Sequence, residues 1–108
     1  MKDYSSHYAL LLECALKMDG KSFLTYFTPN IVEQAKADSE NSMYIADFFA
    51  LLKDNANALF WLENAVKCGW INYPFLNEYD PFLKNIRGDE RFQKLMSRVK
   101  ELWQNFKE

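Results

Sequence analysis

The sequence predicts an all-α protein. It contains only three glycines and three prolines among 108 residues, so long stretches have nothing that interrupts a helix. Within these stretches apolar side chains recur every three or four residues, the spacing that places them on one helix face. Hydrophobic residues make up 49% of the chain and aromatic residues 17%, enough for a packed core. We therefore expect one domain over residues 1–108.

The N-terminal third predicts one helix followed by two shorter ones. Residues 4–18 carry a single apolar stripe, and Gly20 is expected to end this helix in the left-handed conformation. A second helix over residues 21–27 must stop before Pro29, because proline disrupts a helix interior. Proline is favoured at the first helical position, so a third helix is expected over residues 29–36.

The centre of the chain predicts a pair of helices, residues 42–53 and 56–68, joined by a tight polar turn. The first of them is apolar on nearly every side, which indicates packing partners on more than one face. Further along, Asp80 is expected to cap a short helix that begins at Pro81. A last helix over residues 89–106 shows the clearest amphipathic stripe.

The central helix pair carries a repeat pattern. Small residues alternate with large ones at the intervals of the tetratricopeptide motif, which spans about 34 residues. The matching positions are Ile45, Ala46, Phe49, Ala58, Leu62 and Ala65. Residues 42–75 therefore resemble a tetratricopeptide repeat (TPR), although Ser42 stands where the family has a large side chain and Trp70 where a closing proline would fall.

The same pattern fits the flanking residues only in part. Pro29 divides one helix of the preceding unit, and Pro81 divides one helix of the following unit. The resemblance implies a short TPR-like right-handed α-α superhelix of antiparallel helix pairs, with one regular repeat between two degenerate ones. The approximate units are residues 8–41, 42–75 and 76–108. Degenerate end units are typical of such arrays, because terminal repeats must present a polar face to water.

A series of short motifs marks the second half of the chain. They are W-L-E at 61–63, N-Y-P-F-L at 72–76, D-P-F-L at 80–83 and I-R-G at 86–88. This half is similar to the C-terminal TPR region of multidomain bacterial regulatory proteins. The resemblance implies that the chain is the tail of a larger regulatory protein, or a free-standing relative of such tails.

The resemblance also implies a non-catalytic interaction module. TPR grooves bind peptides or helices on the inner face of the first helix of each pair. The groove residues expected here are Met43, Tyr44, Asp47, Phe48 and Leu51. The partner would be a peptide, a helix or a neighbouring domain of a parent protein. The alternative is a structural or oligomerisation element that self-associates through the exposed edge of the solenoid, so that the chain is a homo-oligomer.

The sequence does not favour several other classes of protein. A net charge of −2 with scattered basic residues does not favour nucleic acid, whose phosphates attract clustered Lys and Arg. No apolar run approaches the about 20 residues of a membrane helix, and the first residues are polar, so a cytoplasmic protein is expected. His7 has no acid or nucleophile in sequence reach. We therefore expect neither enzyme activity nor a metal or other cofactor.

The remaining titratable residues have structural interpretations. Asp80, Asp89 and Glu90 are expected at helix starts, where acids meet the positive end of the helix dipole. The basic residues on and before the last helix are expected on a solvated face. Cys14 and Cys68 are expected to be free thiols, buried or half-buried, with a disulfide as the open alternative. The basic residues are Arg87, Arg91, Lys94 and Arg98.

Overall fold

The computed structural model describes the backbone of residues 5–107 and the side chains of residues 6–78 and 80–105. This backbone is helical and contains no strand, which confirms the all-α prediction. In chain order the elements are α1 (Ser5–Leu16), α2 (Gly20–Tyr26), α3 (Pro29–Lys36), α4 (Ser39–Leu51), α5 (Asn55–Lys67), the π turn (Phe75–Tyr79), the 3₁₀ helix (Pro81–Ile86) and α6 (Glu90–Lys107). Residue 4, predicted to open the first helix, lies outside the described range.

The start of α4 corrects one prediction. Residues 37–41 were expected to form a loop, but α4 already begins at Ser39. Asp38 is its N-cap, and its Oδ1 accepts hydrogen bonds from the backbone N–H groups of Glu40 (2.8 Å) and Asn41 (3.2 Å). Polar residues that are typical of a loop therefore form the cap and first turn of the helix.

The end of α1 corrects a second prediction. Gly20 does not end this helix but is the first residue of α2. The left-handed residue is Met18, with φ of 58°, and the N–H of Asp19 closes the turn on the Cys14 carbonyl at 2.9 Å. Closing the helix this early leaves the Asp19 side chain free to cap α2.

One turn recurs along the chain. Asp19, Asp54 and Asp89 follow one another at intervals of 35 residues. Their carboxylates accept backbone N–H bonds of 3.1, 3.2 and 2.8 Å from the first turns of α2, α5 and α6. Just before the first two aspartates, Met18 and Lys53 both adopt left-handed conformations, with φ of 58° and 62°. An aspartate cap therefore precedes each of these three helices at a constant spacing along the chain.

The helices pack around α4 and α5. The most extensive contact joins α4 to α5, and α4 also packs on α1, α3 and the 3₁₀ helix, while α6 packs on α5. The molecule measures 41 × 33 × 19 Å, and its shortest dimension equals about two helix diameters of about 10 Å. Fully buried alanines in α4 and α5 permit a close approach of the two helices. They are Ala46, Ala50, Ala58 and Ala65.

A buried polar network explains the serine at the start of the regular unit. Ser42 is fully buried, and its hydroxyl donates a 2.6 Å hydrogen bond to the Ala35 carbonyl. The Asn64 amide donates to Ser42 Oγ at 2.9 Å and to the Lys36 carbonyl at 3.1 Å. The network joins α3, α4 and α5 through the buried Ser42 hydroxyl.

The network predicts the stability of an Asn64 variant. Asn64→Ala removes the donor of both bonds and should lower the free energy of unfolding by about 1–2 kcal/mol, because the Ser42 hydroxyl stays buried. Urea denaturation followed by circular dichroism measures this change. Asn105→Ala, at an exposed position of α6, is the matched control and should change stability by less than about 0.5 kcal/mol. Equal effects of the two substitutions would contradict the proposed role of the network.

Candidate functional site

A cavity of about 410 Å³ opens between α1, α4 and residues 75–82. We call this cavity the groove. Its walls are largely aromatic, with additional contacts from Ala9, Leu12 and Pro81. Two aspartates also line it, Asp47 from α4 and Asp80 from the start of the 3₁₀ helix. The aromatic residues of the walls are Tyr8, Tyr44, Phe48, Phe75 and Phe82.

The groove contains some of the residues expected from the sequence. Tyr44, Asp47 and Phe48 line it, because their spacing of three and four positions places them on one face of α4. Met43 lies in the core with 3% of its surface exposed, and it is not among the lining residues. Leu51 is half-buried and is likewise not in the lining.

Hydrogen bonds and ring contacts hold the tyrosines of the groove in place. The Tyr8 hydroxyl donates to Gln34 Oε1 at 2.6 Å, and its ring centroid lies 6.3 Å from that of Tyr44. The Tyr44 hydroxyl donates to Glu40 Oε1 at 2.8 Å, which, with partial burial, raises the pKa of Tyr44. Tyr44 nevertheless remains 43% exposed, so its ring is accessible at the mouth of the groove.

The two aspartates of the groove are almost completely buried. Asp47 is 7% exposed and Asp80 is 2% exposed. Asp80 Oδ1 accepts a 2.9 Å hydrogen bond from the Phe82 N–H and so caps the 3₁₀ helix. Asp80 Oδ2 and Asp47 Oδ1 are buried, and neither accepts a hydrogen bond from an N–H or hydroxyl group in the described part of the chain. Unpaired buried carboxylate oxygens are costly, because they have lost their hydration.

A proton resolves part of this conflict. Burial, a hydrogen bond with the Asp80 side chain and the Asp80 charge together raise the pKa of Asp47 to about 10. Two ionised carboxylates have no donor between them, whereas a protonated Asp47 can donate to the Asp80 carboxylate. The raised pKa of Asp47 keeps its carboxyl protonated at neutral pH, so that it can donate this hydrogen bond. We call Asp47 and Asp80 the aspartate pair.

The aspartate pair was not predicted from the sequence. The capping role expected of Asp80 is correct and Asp47 was expected in the groove, but no contact between the two was predicted. They lie far apart in sequence and on different elements, so no spacing rule connects them. The available signal was the position of Asp47 itself, an acid between Ala46 and Phe48 in a helix that is otherwise apolar on nearly every side.

Arg87 also differs from the expectation of a solvated basic face. It is half-buried, and its Nη2 donates to the carbonyls of Asp80 (2.7 Å) and Leu76 (3.3 Å). The basic residues of α6 do lie at the surface. Arg91, Lys94 and Arg98 pair there with Asp89, Glu90 and Glu63 at 3.2, 3.6 and 3.7 Å.

The other residues considered for catalysis, disulfide formation or metal binding do not line the groove. Cys14 is buried and Cys68 is exposed, and both are free, so the expectation that Cys68 is buried or half-buried was wrong. His7 is exposed near the start of α1. Among the described residues, no group of three or more His, Cys, Asp or Glu side chains is arranged to hold a metal ion.

Comparisons with protein-family models, with characterised proteins and with solved structures find no match to this chain. The groove is therefore interpreted from its own geometry. Within residues 5–107, no helix has both the length and the apolar character needed to cross a membrane.

The aspartate pair predicts a pH-dependent stability. Folded Asp47 keeps its proton up to about pH 10, whereas the unfolded residue loses it near 3.8, so unfolding between these values releases a proton. The contribution of Asp47 to stability is thus greatest below pH 3.8 and falls as the pH rises towards 10. Asp47→Asn keeps a donor but cannot ionise. Its stability relative to the native chain should therefore increase with pH, by up to about 1.4 kcal/mol per pH unit.

Urea denaturation at several pH values between 5 and 9 measures this difference, with limits set by the two pKa values above. Glu101→Gln, an equal change of charge at an exposed position of α6, is the control, and its effect should not vary with pH in this range. A stability difference for Asp47→Asn that stays constant with pH would show that Asp47 is already ionised in the folded chain.

Proposed function

We propose that this chain is a non-catalytic interaction module that binds a peptide or helix of a partner protein in the groove. The observation that carries the proposal is the aromatic-walled cavity itself. Binding sites are typically concave and largely apolar, with a few polar groups that fix orientation, and the groove has this composition. It is lined by α1, α4 and residues 75–82, so each of the three predicted units contributes to it.

We further propose that the helices form the TPR-like right-handed superhelix implied by the sequence. The aspartate caps spaced by 35 residues and the extensive packing of α4 on α5 support this architecture. The regular unit is α4 with α5, and the unit after it has the π turn and the 3₁₀ helix in place of one continuous first helix. In a larger cytoplasmic regulatory protein, a neighbouring domain could supply the segment that occupies the groove.

Blocking the groove tests the binding proposal. Ala9 is exposed on α1 and lines the groove, so Ala9→Trp places a large ring at its mouth without changing the core. Peptides that bind the native chain are first selected from a random phage-displayed library. These peptides should bind the Ala9→Trp variant at least about tenfold more weakly, because the tryptophan ring excludes them sterically from the groove. Tyr44→Ala, which removes an exposed wall, should weaken them as well. Fluorescence anisotropy measures the affinities.

Ala56→Trp is the matched control, because Ala56 is exposed on α5 and lines a different surface depression. Its affinity for the selected peptides should equal that of the native chain. Binding that is lost equally in both tryptophan variants, or in neither, would place the peptide site elsewhere. A library that yields no binding peptide would contradict the proposed function.

Self-association is the second candidate function, and a separate surface favours it. Large apolar side chains are exposed around the turn between α1 and α2, namely Leu16 (59%), Met18 (51%) and Leu24 (63%). A shallow cavity of about 290 Å³ lies beside Met18 and Leu24. An exposed apolar patch of this kind is typical of an interface.

Sedimentation equilibrium tests this candidate. If the patch joins two copies, the native chain is a dimer and Leu24→Glu shifts it to a monomer, because the interface would bury an unpaired charge. Leu102→Glu, at a 41% exposed leucine of α6, should leave the dimer intact. A native chain that stays monomeric as its concentration rises excludes self-association.

A further inference from the structure

The walls of the groove are mainly aromatic rings, and a ring face attracts cations as well as apolar groups. We propose that the groove also binds a small quaternary ammonium compound, whose positive nitrogen carries four carbon substituents and no hydrogen. The inference goes beyond the proposed function, because the ligand is a free small molecule that would compete with a peptide for the same site. Three features carry it: the arrangement of the rings, the direction of two tyrosine hydroxyls, and the state of the carboxyls in the lining.

The first feature is the arrangement of the rings. Aromatic side chains from α1, α4 and residues 75–82 line the groove. The ring centroid of Tyr8 lies 6.3 Å from that of Tyr44 and 6.5 Å from that of Phe48, with the ring planes tilted by 59° and 48°. Tilted rings do not stack face to face, so they do not use their faces on one another. A ring attracts a cation within about 6 Å of its centroid, so one cation beside Tyr8 can reach a second ring as well.

The second feature is the direction in which the tyrosines donate. The Tyr8 hydroxyl donates to Gln34 Oε1 at 2.6 Å. The Tyr44 hydroxyl donates to Glu40 Oε1 at 2.8 Å. Neither acceptor is among the lining residues, so the tyrosines contribute their rings to the groove and direct their donors elsewhere. A phenol that donates its proton to a carboxylate gains electron density in the ring, which strengthens the attraction of that ring for a cation.

The third feature is the state of the carboxyls in the lining. Asp47 and Asp80 share a hydrogen bond, and Asp80 also accepts one of 2.9 Å from the Phe82 N–H. These groups are therefore already partnered. A primary ammonium group has three N–H donors, and among the described lining residues it would not find acceptors to replace the water that it loses. A quaternary ammonium group has no N–H and gives up no such bond on entering the groove.

The size of the groove agrees with a small ligand. Its volume is about 410 Å³, and pockets for small molecules typically measure about 300–1,000 Å³. Leu12 and Pro81 add apolar surface for the methyl groups of the ligand. A neutral molecule of the same shape would make these apolar contacts too. The contribution that distinguishes the proposed ligand is therefore its charge, and the experiment must isolate that charge.

Three small molecules of similar structure test the proposal on the native chain. Choline is the probe, its tert-butyl analogue has carbon in place of the nitrogen and is neutral, and ethanolamine is the corresponding primary amine. Titrations followed by NMR measure the affinities. Choline should bind at least about tenfold more tightly than the tert-butyl analogue, because the rings attract its charge. It should exceed ethanolamine by a similar factor, because ethanolamine gives up its hydrogen bonds with water.

The outcomes that overturn the proposal are equally definite. They are equal affinities of choline and the tert-butyl analogue, an affinity of ethanolamine that matches that of choline, and the absence of saturable choline binding at millimolar concentrations. Intermolecular nuclear Overhauser effects locate the ligand. The choline methyl protons should show them to the ring protons of Tyr8 and Tyr44, and contacts to Phe60 on α5 instead would overturn the proposal.

A ring substitution tests the attraction itself. Tyr44 is 43% exposed, so Tyr44→Leu removes a ring at the mouth of the groove while an apolar side chain remains, and thermal denaturation checks its folding. The variant should bind choline at least about fivefold more weakly and the tert-butyl analogue almost unchanged, because only the cation depends on the ring face. An equal loss for both molecules would overturn the proposal.

Phe60→Leu is the matched control for this substitution. Phe60 is 52% exposed on α5 and lines a different surface depression. The control substitution removes an exposed ring of similar size, and the affinity for choline should equal that of the native chain. Choline binding that is weakened equally by both substitutions would show that the groove is not the site.

Two further comparisons separate the source of the ligand from the fate of the proposed function. A short peptide that carries trimethyllysine has the same head group as choline. If it binds at least about tenfold more tightly than choline, the group belongs to a modified protein and the free-ligand proposal is overturned. Library peptides that bind in the groove without any choline binding would overturn this inference and leave the proposed function standing. Choline binding without any library peptide would support this inference while the proposed function fails.

Discussion

The burial of residues 45–50 of α4 on every side is the constraint on which the rest of the structure depends. Residues 45–50 are all buried, so no face of this part of the helix meets water. A helix in this position needs partners all around it, and α1, α3, α5 and the 3₁₀ helix supply them. Each large apolar side chain buried in this way contributes about 1.5–3 kcal/mol. The free energy gained by burying Ile45, Phe48 and Phe49 is large enough to offset the cost of burying one acidic side chain among them.

That acid, Asp47, brings a titratable group into the apolar interior. Its burial is accompanied by a proton and by a hydrogen bond with the Asp80 side chain. A buried carboxyl whose pKa is raised lowers stability at neutral pH relative to an amide of the same shape. An asparagine would therefore serve folding better at this position. The acid thus agrees with the proposed binding function, since stability is commonly given up at functional sites.

The sequence predicted most of the local structure and little of the site. Proline and glycine set element boundaries through local backbone geometry, so the break at Pro29 and the short helix from Pro81 were predicted correctly. The predicted start of α4 was wrong, because the polar residues that cap this helix resemble the residues of a loop. The groove depends on contacts between distant elements, and helical spacing alone could not distinguish Met43, which enters the core, from Tyr44, which reaches the surface. For the same reason, helical spacing did not predict that Asp47 and Asp80 lie together.

The segment around Asp80 does more than connect α5 to α6. Its helical course is interrupted at Asp80, whose backbone is extended (φ −69°, ψ 108°) between the π turn and the 3₁₀ helix. This break places a capping carboxylate in the groove that Asp47 of α4 also lines, with one oxygen bonded to the Phe82 N–H. Arg87 fixes the segment through the Asp80 carbonyl at 2.7 Å. A continuous helix would have no capping residue at this point, so the interruption is what adds a second carboxylate to the lining of the groove.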